Sequence, residues 1–383
     1  MRSLLNLPIV ILPAFLLSLA FAGFRVNLSL FALSLQASPF TVGVAVSLLA
    51  ILPMIFAVTA GRVIDRIGVR KPMLLAASAM IAGLGLAFAV PRLEILFIVS
   101  PLVGSGFMLF HIAVNHATGT NEQLNGRVQD FSVIALTYSI SGFLGPLLTG
   151  FAIDWIGHRH TFLFLMGCVL IAIIVLLVTK KNDSRCVPAE SRGKKPRLAD
   201  LLQNHAIRRV FIVSGSLSMA SDLFNFIVPV HCTSIGMSAS AVGLILGAFG
   251  VGIFFVRLLL PLFVRYLSEW QMLTMAMFAT GTFLFAFPLV HVTPVLTFFA
   301  FMLGVGLGGA QPVIMSLLYK HAPPGRGGEV VGMSAALMNL SQVGVPLLFG
   351  ALITGLSMTP GFWAMTAVIA GASWQLRRKS ASL

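Results

Sequence analysis

Apolar residues fill most of the chain in long stretches that short polar or charged segments separate. A helix needs about 20 such residues to cross a hydrocarbon core of about 30 Å. Twelve stretches approach that length: residues 7–34, 39–61, 72–91, 94–118, 129–154, 158–179, 208–232, 238–264, 270–291, 293–319, 330–355 and 360–376. The pattern predicts an all-α integral membrane protein with twelve transmembrane spans, here numbered 1 to 12.

The second half of the chain repeats the first at an offset of 200 residues. The identical pairs are Ser38 and Ser238, Val42 and Val242, Gly43 and Gly243, Gly104 and Gly304, Gly106 and Gly306, Ser141 and Ser341, Pro146 and Pro346, Leu147 and Leu347, Leu148 and Leu348, and Gly150 and Gly350. They predict two six-helix bundles of the same direction, residues 1–179 and 208–383, joined by a cytoplasmic linker at 180–207. Parallel repeats are typical of secondary transporters whose substrate site lies where the repeats meet.

Composition supports a membrane protein, with 58% hydrophobic residues, 9% charged residues and a mean hydropathy of +0.99. Such a balance excludes a water-soluble globular domain. The start of the chain imitates a secretory signal, because Arg2 precedes an apolar run and Ala20–Ala22 resembles a cleavage site. The apolar run continues to Leu33 and matches residues 208–232 of the repeat, so we expect it to be retained as span 1.

Basic residues indicate the orientation of the chain in the membrane. With the N-terminus inside, 21 of the 25 Lys and Arg residues fall in cytoplasmic segments, and Arg92 and Arg159 fall outside. Lys and Arg are enriched on the cytoplasmic side of membrane proteins. We therefore expect both termini in the cytoplasm and the protein in a bacterial inner membrane. The net charge of +14 then reflects topology, and no nucleic-acid partner is needed to explain it.

A charged loop joins spans 2 and 3, and its named positions are Gly61, Asp65, Arg66, Gly68, Arg70 and Lys71. This loop resembles the signature G-x-x-x-D-R-x-G-x-R-K of the major facilitator superfamily at every named position. With the twelve spans and the parallel repeat, the resemblance covers the whole chain. Glycines allow a tight turn and close helix packing, and the basic residues suit an anionic headgroup surface.

The resemblance implies that this loop is a conformational latch on the cytoplasmic side, in which Asp65 stabilises the outward-facing state. Alternatively, these charges only set the orientation of the chain in the membrane and have no role in a latch. The second half has Pro261 and Arg265 where Gly61 and Asp65 would recur. We therefore expect any latch to be asymmetric.

Span 5 carries a second motif, formed by Gly142, Gly145, Pro146 and Gly150. It resembles the G-P-x-x-G-G signature of antiporters in the superfamily, although Thr149 replaces one glycine. A packing kink unrelated to transport direction is the competing interpretation, since Val345-Pro346 repeats it in span 11. Span 4 departs from proton-coupled drug exporters, because Ser100 stands where they usually have an arginine.

Polar residues inside the membrane are costly and commonly functional. In this chain they concentrate on four spans that line the central cavity in the superfamily. They are Arg25 and Asn27 in span 1, His111, Asn115 and His116 in span 4, Asp222 and Asn225 in span 7, and Gln311 in span 10. The repeat places Arg25 opposite Asn225 and His111 opposite Gln311. We predict that Arg25, Asn27, His111, Asn115, Asn225 and Gln311 form the substrate cavity, whereas His116 is more typical of a loop-facing or packing residue.

Asp222 is the carboxylate that falls well inside a span. Burial favours the protonated form of a carboxyl group, and a neighbouring cation favours the ionised form. We therefore predict that Asp222 is the proton-coupling residue and that Arg25 is its partner or binds an anionic substrate group. A static ion pair that fixes spans 1 and 7 is the alternative. Arg257, in span 8, is expected to snorkel or to form a pair.

These observations predict a secondary active transporter that exports a small organic solute by proton antiport. An importer of an anionic nutrient, siderophore or metal complex is the first alternative, and a membrane receptor or scaffold that does not transport is the second. The sequence offers no catalytic motif, so we expect neither an enzyme nor a cofactor, and the three cysteines give no metal or disulfide framework. Expected partners are the solute, protons and membrane lipids, and the expected state is a monomer.

Overall fold

The structure is a computed structural model that describes residues 7–119, 124–178, 205–322, 327–356 and 358–380. Helices form almost all of this part of the chain. Their bounds are α1 Leu7–Ser34, α2 Pro39–Ile67, α3 Arg70–Ala89, α4 Leu93–Gly119, α5 and α6 together Leu124–Val178, α7 His205–Ser234, α8 Ala239–Tyr266, α9 Glu269–Ala286, α10 Thr293–Gly308, α11 Ala310–His321, α12 Gly327–Gly355 and α13 Met358–Ser380. A short 3-10 turn, Phe287–Leu289, follows α9.

Twelve membrane crossings are confirmed. Ten helices of the described residues are long and apolar enough to cross a membrane. One of them is the long segment Leu124–Val178, which Gly157 divides into α5 and α6 because its φ of 79° and ψ of 163° are not helical. Consecutive helices α10 and α11 share the tenth crossing, and α13 supplies the twelfth. The predicted linker lies outside the described residues except for its last three, which begin α7.

The crossings form two bundles, α1–α6 and α7–α13, as the repeat predicts. Each half is held by its own helix contacts, such as α1 with α5 and α8 with α10. Between the halves, α5 packs on α8, α2 packs on α12, and α1 meets α7. The two long seams, α5/α8 and α2/α12, are equivalent under the repeat.

Repeated serines start equivalent helices in the two halves. Ser38 precedes α2, and its hydroxyl accepts a hydrogen bond from the Thr41 amide at 3.2 Å. Ser238 precedes α8, and its hydroxyl accepts from the Ala241 amide at 3.2 Å. An N-cap of this kind satisfies one of the free amides at a helix start. The repeated Ser is therefore explained by the repeated helix start.

The halves meet tightly where α2 and α8 begin, which we call the closed end. A Cβ atom added at Gly243 would lie 2.6 Å from the Pro146 carbonyl oxygen, and one added at Gly43 would overlap the Pro346 carbonyl oxygen. A Cβ at Gly150 would lie 2.5 Å from the carbonyl oxygen of Ala239. Only glycine permits backbones to approach so closely.

Hydrogen bonds between the halves add to this packing at the closed end. The Asp154 carboxylate at the end of α5 accepts from the amides of Ala239 and Ser240 at 3.1 and 2.7 Å. At the repeat-related position, the Thr354 hydroxyl accepts from the Phe40 amide at 3.0 Å. Asp154 and Thr354 therefore bind the N-termini of α8 and α2, and a carboxylate there also interacts favourably with the helix dipole.

The opposite end, called the open end, carries the loop between α2 and α3 and both described chain ends. Large apolar side chains on α2, α8 and α12 are exposed there, including Phe56 at 50%, Val264 at 58% and Leu340 at 59%. We interpret this end as the mouth of a cavity between the halves, so that one end is closed and the other open, as alternating access requires.

We expect the variant Asp154→Ala to loosen the closed end. Loss of a side chain that accepts hydrogen bonds from the first amides of a helix typically costs about 1 kcal/mol, as for an N-cap, which corresponds to about a fivefold change in population. Ser47 is buried at the α2/α12 seam, where its hydroxyl donates to the Val343 carbonyl at 2.7 Å. In a cysteine-free background, a maleimide should therefore label Ser47→Cys about fivefold faster when Asp154 is replaced by Ala.

A matched control is Glu94→Ala, since Glu94 is an exposed acid at the same end, at the start of α4. It should leave the labelling rate unchanged. Equal labelling of the Asp154→Ala variant and the parent would contradict a role for Asp154 in closure.

Candidate translocation site

An ion pair joins the two halves inside the cavity. Arg25 on α1 places Nη2 3.9 Å from Oδ1 of Asp222 on α7. The other carboxylate oxygen, Oδ2, accepts a hydrogen bond from the Ser341 hydroxyl on α12 at 2.8 Å. One oxygen of Asp222 is therefore held by its own half, and the other faces the cation of the opposite half.

The pair is close enough for attraction but longer than a charge-assisted hydrogen bond, which is about 2.7–2.9 Å. The side chains of Arg25 and Asp222 keep 27% and 12% of their surfaces accessible. Both groups therefore reach the cavity. A change in the proton occupancy of Asp222 would change the attraction between the halves directly.

A polar pocket lies beside Asp222 in the second half. It has a volume of about 170 Å³ and is lined by residues of α7, α8, α10, α11 and α12. Its polar side chains are Ser214, Ser218, Ser221, Asp222, Arg257, Gln311 and Gln342. Gln311 and Gln342 are exposed to the open cavity. Asp222, the predicted proton-coupling residue, and Gln311, a predicted cavity residue, thus line the same pocket.

Arg257 is a pocket residue whose partners the sequence did not identify. Its Nη1 donates to the Ser139 hydroxyl on α5 of the other half at 3.0 Å, and its Nε donates to the Gly308 carbonyl at 3.4 Å. Arg257 is therefore paired across the α5/α8 seam and does not snorkel away from it. In the sequence, the feature that draws attention to Arg257 is its charge inside a predicted span.

The first half contributes an aromatic wall with a polar edge. His111 and Asn115 lie on α4, where the Asn115 amide nitrogen and His111 Nδ1 are 3.2 Å apart. The His111 ring lies 5.0 Å from the Tyr138 ring, and Phe107 stacks on Phe21 with centroids 4.0 Å apart. This wall can contact flat apolar surfaces and offers imidazole, phenol and amide groups for hydrogen bonds.

The remaining predicted cavity residues have local partners. Asn27 is fully buried, and its amide pairs with His158 after the Gly157 turn: Nδ2 donates to the backbone carbonyl, and Oδ1 lies 3.0 Å from Nδ1. Asn225 donates to the Ser221 carbonyl of its own helix at 2.8 Å. The structure therefore brings Arg25 and Asp222 together and places Asn27 against the turn between α5 and α6.

The loop between α2 and α3 turns at Gly68, whose φ of 79° is in the left-handed region that favours glycine. Arg70 donates to the carbonyls of Leu176 and Leu177 at 3.2 and 3.1 Å. A cation at a helix C-terminus satisfies free carbonyls and complements the dipole. The loop is therefore tied to the end of α6. The side chain of Asp65 lies outside the described part of the chain.

Three of the four residues of the span-5 motif lie against neighbouring helices. A Cβ at Gly145 would lie 2.8 Å from the Leu19 carbonyl oxygen of α1, and one at Gly150 would meet α8 across the seam. A Cβ at Gly142 would find nothing within 4 Å. The equivalent Pro346 on α12 contacts α2 in the same manner as Pro146 contacts α8. Pro146 and Gly150 of the motif, and Pro346 in the second half, therefore pack at the closed end.

Two parallel six-helix bundles around a polar cavity define the class of secondary transporters. The profile described as Major Facilitator Superfamily matches residues 10–346. The chain belongs to this superfamily. It is accordingly a multi-pass membrane protein of a transporter family, which is not a class of enzymes.

Similar proteins agree with this assignment. The uncharacterized MFS-type transporter YuxJ of Bacillus subtilis (strain 168) is 25% identical over 238 residues, which cover 58% of this chain and 59% of that relative. The crystal structure of the nucleoside transporter NupG has a TM-score of 0.78 at 15% identity and covers 99% of this chain and 99% of its own. The peptide transporter POT, in complex with sulfate, has a TM-score of 0.79 at 15% identity, covering 98% and 94%. These likenesses concern the fold.

Proposed function

We propose that this protein is a proton-coupled secondary transporter of the bacterial inner membrane that exports a small organic solute by antiport. The observation that carries the proposal is the pair of Arg25 and Asp222, which joins the halves at 3.9 Å within the cavity. Both termini are proposed to be cytoplasmic, so the open end faces the cytoplasm. The structure then corresponds to an inward-facing state.

Asp222 suits the coupling role because it is held between two different partners. When ionised, it attracts Arg25 and accepts from Ser341. When protonated, it loses most of its attraction to Arg25, and the contact between α1 and α7 weakens. A ligand shifts a two-state equilibrium only through different affinities for the two states. A proton on Asp222 would bind the two states with different affinities, because the Arg25–Asp222 pair joins the two halves that move.

Alternating access would proceed by rocking of the halves along the α5/α8 and α2/α12 seams. Glycines at the closed end allow the backbones to meet without interlocking side chains, as at Gly43 and Gly243. The loop from Gly61 to Lys71 is proposed to latch the open end in the alternative state, with Asp65 as its acidic member. Arg70 already anchors that loop to α6.

An uptake and efflux screen tests the proposal. Cells that lack or overproduce the protein are exposed to a library of labelled small organic compounds, with and without a protonophore. Export predicts that overproduction lowers the accumulation of at least one compound and that the protonophore removes the effect. The matched control is cells that overproduce Asp222→Asn.

Two other outcomes would replace the proposal. Higher accumulation on overproduction would mean import, with Arg25 as a candidate anchor for an anionic group. Ligand binding to purified protein without flux in proteoliposomes would mean a receptor or scaffold.

A further inference from the structure

Among the side chains that the structure describes, the charges near the Asp222 pocket do not balance. Asp222 and Arg257 line this pocket, and Arg25 pairs with Asp222 from the other half. Two other described acids are engaged far away: Asp154 binds the α8 N-terminus at the closed end, and Glu269 pairs with Lys320 at 3.2 Å near the open end. With Arg25, Asp222 and Arg257 all ionised, these described groups together carry one excess positive charge.

Within the described part of the chain, Arg257 is the member of this group that has no acidic partner. Its hydrogen-bond partners among the described residues are neutral, the Ser139 hydroxyl and the Gly308 carbonyl. These two bonds use two of the five N–H donors of a guanidinium. Placing a cation within a membrane is costly, and buried charges are normally compensated by an opposite charge. Arg257 thus has both charge and donors left for a ligand.

The pocket beside Arg257 has room for one end of a solute. Its volume of about 170 Å³ is below the roughly 300–1,000 Å³ of pockets that enclose a whole drug-sized ligand. The neighbouring donors are the amides of Gln311 and Gln342 and the hydroxyls of Ser218 and Ser221. A guanidinium with amide and hydroxyl donors recognises carboxylate and phosphate oxygens well.

We propose that Arg257 binds an oxyanion of the transported solute, a carboxylate or phosphate group, and so makes the protein selective for anionic organic compounds. This inference rests on the proposed function for its reference to transport. The aromatic wall of Phe21, Phe107 and Tyr138 would face the remainder of the solute from the other half. Since Arg257 also holds Ser139 across the α5/α8 seam, a bound anion draws on a group that links the halves.

Thermal stabilisation of the purified full-length protein in detergent tests the inference. The probes are monocarboxylates, dicarboxylates and organic phosphates, each matched with its neutral methyl ester or parent alcohol. The wild type should be stabilised by anionic probes over their neutral partners. Arg257→Gln should weaken the apparent affinity for anionic probes by about tenfold or more, and Arg257→Lys should retain part of it.

Arg265→Gln is the matched control, because Arg265 is exposed eight residues further along α8. It should leave anion affinity unchanged. The ligand-free Arg257→Gln protein should melt at or above the wild-type temperature, because it no longer carries an uncompensated cation. A purely structural Arg257 would instead give a lower melting temperature with unchanged anion preference.

The inference is overturned if the wild type shows no preference for any anionic probe, or if Arg257→Gln keeps that preference. Comparison of the thermal stabilisation by carboxylate probes and by phosphate probes identifies which oxyanion the pocket prefers. Failure of the proposed function looks different: anion binding through Arg257 persists, but proteoliposomes show no proton-dependent flux. Proton-driven flux of a neutral solute through Arg257→Gln would retain the proposed function and refute the inference.

Discussion

The variant Asp222→Asn is expected to abolish proton-driven transport while leaving a folded protein. Asn has the shape of a protonated Asp, so its carbonyl can still accept from Ser341, but it cannot bind or release a proton. The attraction that joins Arg25 to Asp222 at 3.9 Å is also lost. Proton-driven flux should fall about tenfold or more, within the range of coupling free energies between sites, and its dependence on pH should disappear. Flux in proteoliposomes under an imposed pH gradient measures both effects.

Two further variants separate coupling from folding. Asp222→Asn leaves the Arg25 guanidinium without its acidic partner, which can lower the yield of folded protein. The double variant Arg25→Gln/Asp222→Asn removes both charges and should restore yield without restoring coupling. Ser341→Ala should alter the pH dependence but preserve coupled flux. Full transport by Asp222→Asn with an unchanged pH profile would exclude Asp222 from the mechanism.

The second large effect is expected from the variant Gly43→Leu, which adds a side chain at the closed end. A Cβ at Gly43 would overlap the Pro346 carbonyl oxygen, a backbone atom that cannot rotate away. Overpacking of such a contact costs about 1–3 kcal/mol, which shifts a two-state equilibrium by about 5- to 150-fold. Gly43→Leu should therefore favour the state in which the closed end is open, and transport should stop. The labelling rate of Ser47→Cys should rise accordingly.

Control glycines distinguish closure from general packing. Gly142 on α5 and Gly344 on α12 have nothing within 4 Å of an added Cβ, so Gly142→Ala and Gly344→Ala should be silent. Gly104 packs against Leu49 within the first half, and that contact does not separate during rocking. Gly104→Ala should lower the yield of folded protein without raising the labelling of Ser47→Cys. Unchanged labelling in Gly43→Leu would show that the seam accommodates the side chain.

The sequence predicts the architecture well because the repeat and the span lengths are global signals. Helix starts at Ser38 and Ser238, twelve crossings and two parallel bundles follow from them. The hypothesis that Arg25 partners Asp222 comes from their rarity inside spans, and the structure places them 3.9 Å apart. The roles of these residues in transport stay predictions.

Side-chain directions are harder to predict. In a membrane, the faces of a helix toward lipid and toward the protein are both apolar, so periodicity does not reveal the cavity face. Polar identity alone therefore groups Asn27 with the cavity, although its amide binds His158 beyond the Gly157 turn. The partner of Arg257 depends on how α5 crosses α8 between the halves, which no local pattern encodes.

The two side chains that bind the N-termini of α8 and α2 at the closed end occupy equivalent positions but differ in how strongly they bind. Asp154 brings a full negative charge to two amides, whereas Thr354 brings one neutral hydroxyl to one amide. Charge-assisted bonds are about twice as strong as neutral ones. The closed end is therefore expected to separate unevenly, with the α2/α12 seam separating first and the α5/α8 seam acting as the hinge. A symmetric fold would thus open its closed end asymmetrically in each transport cycle.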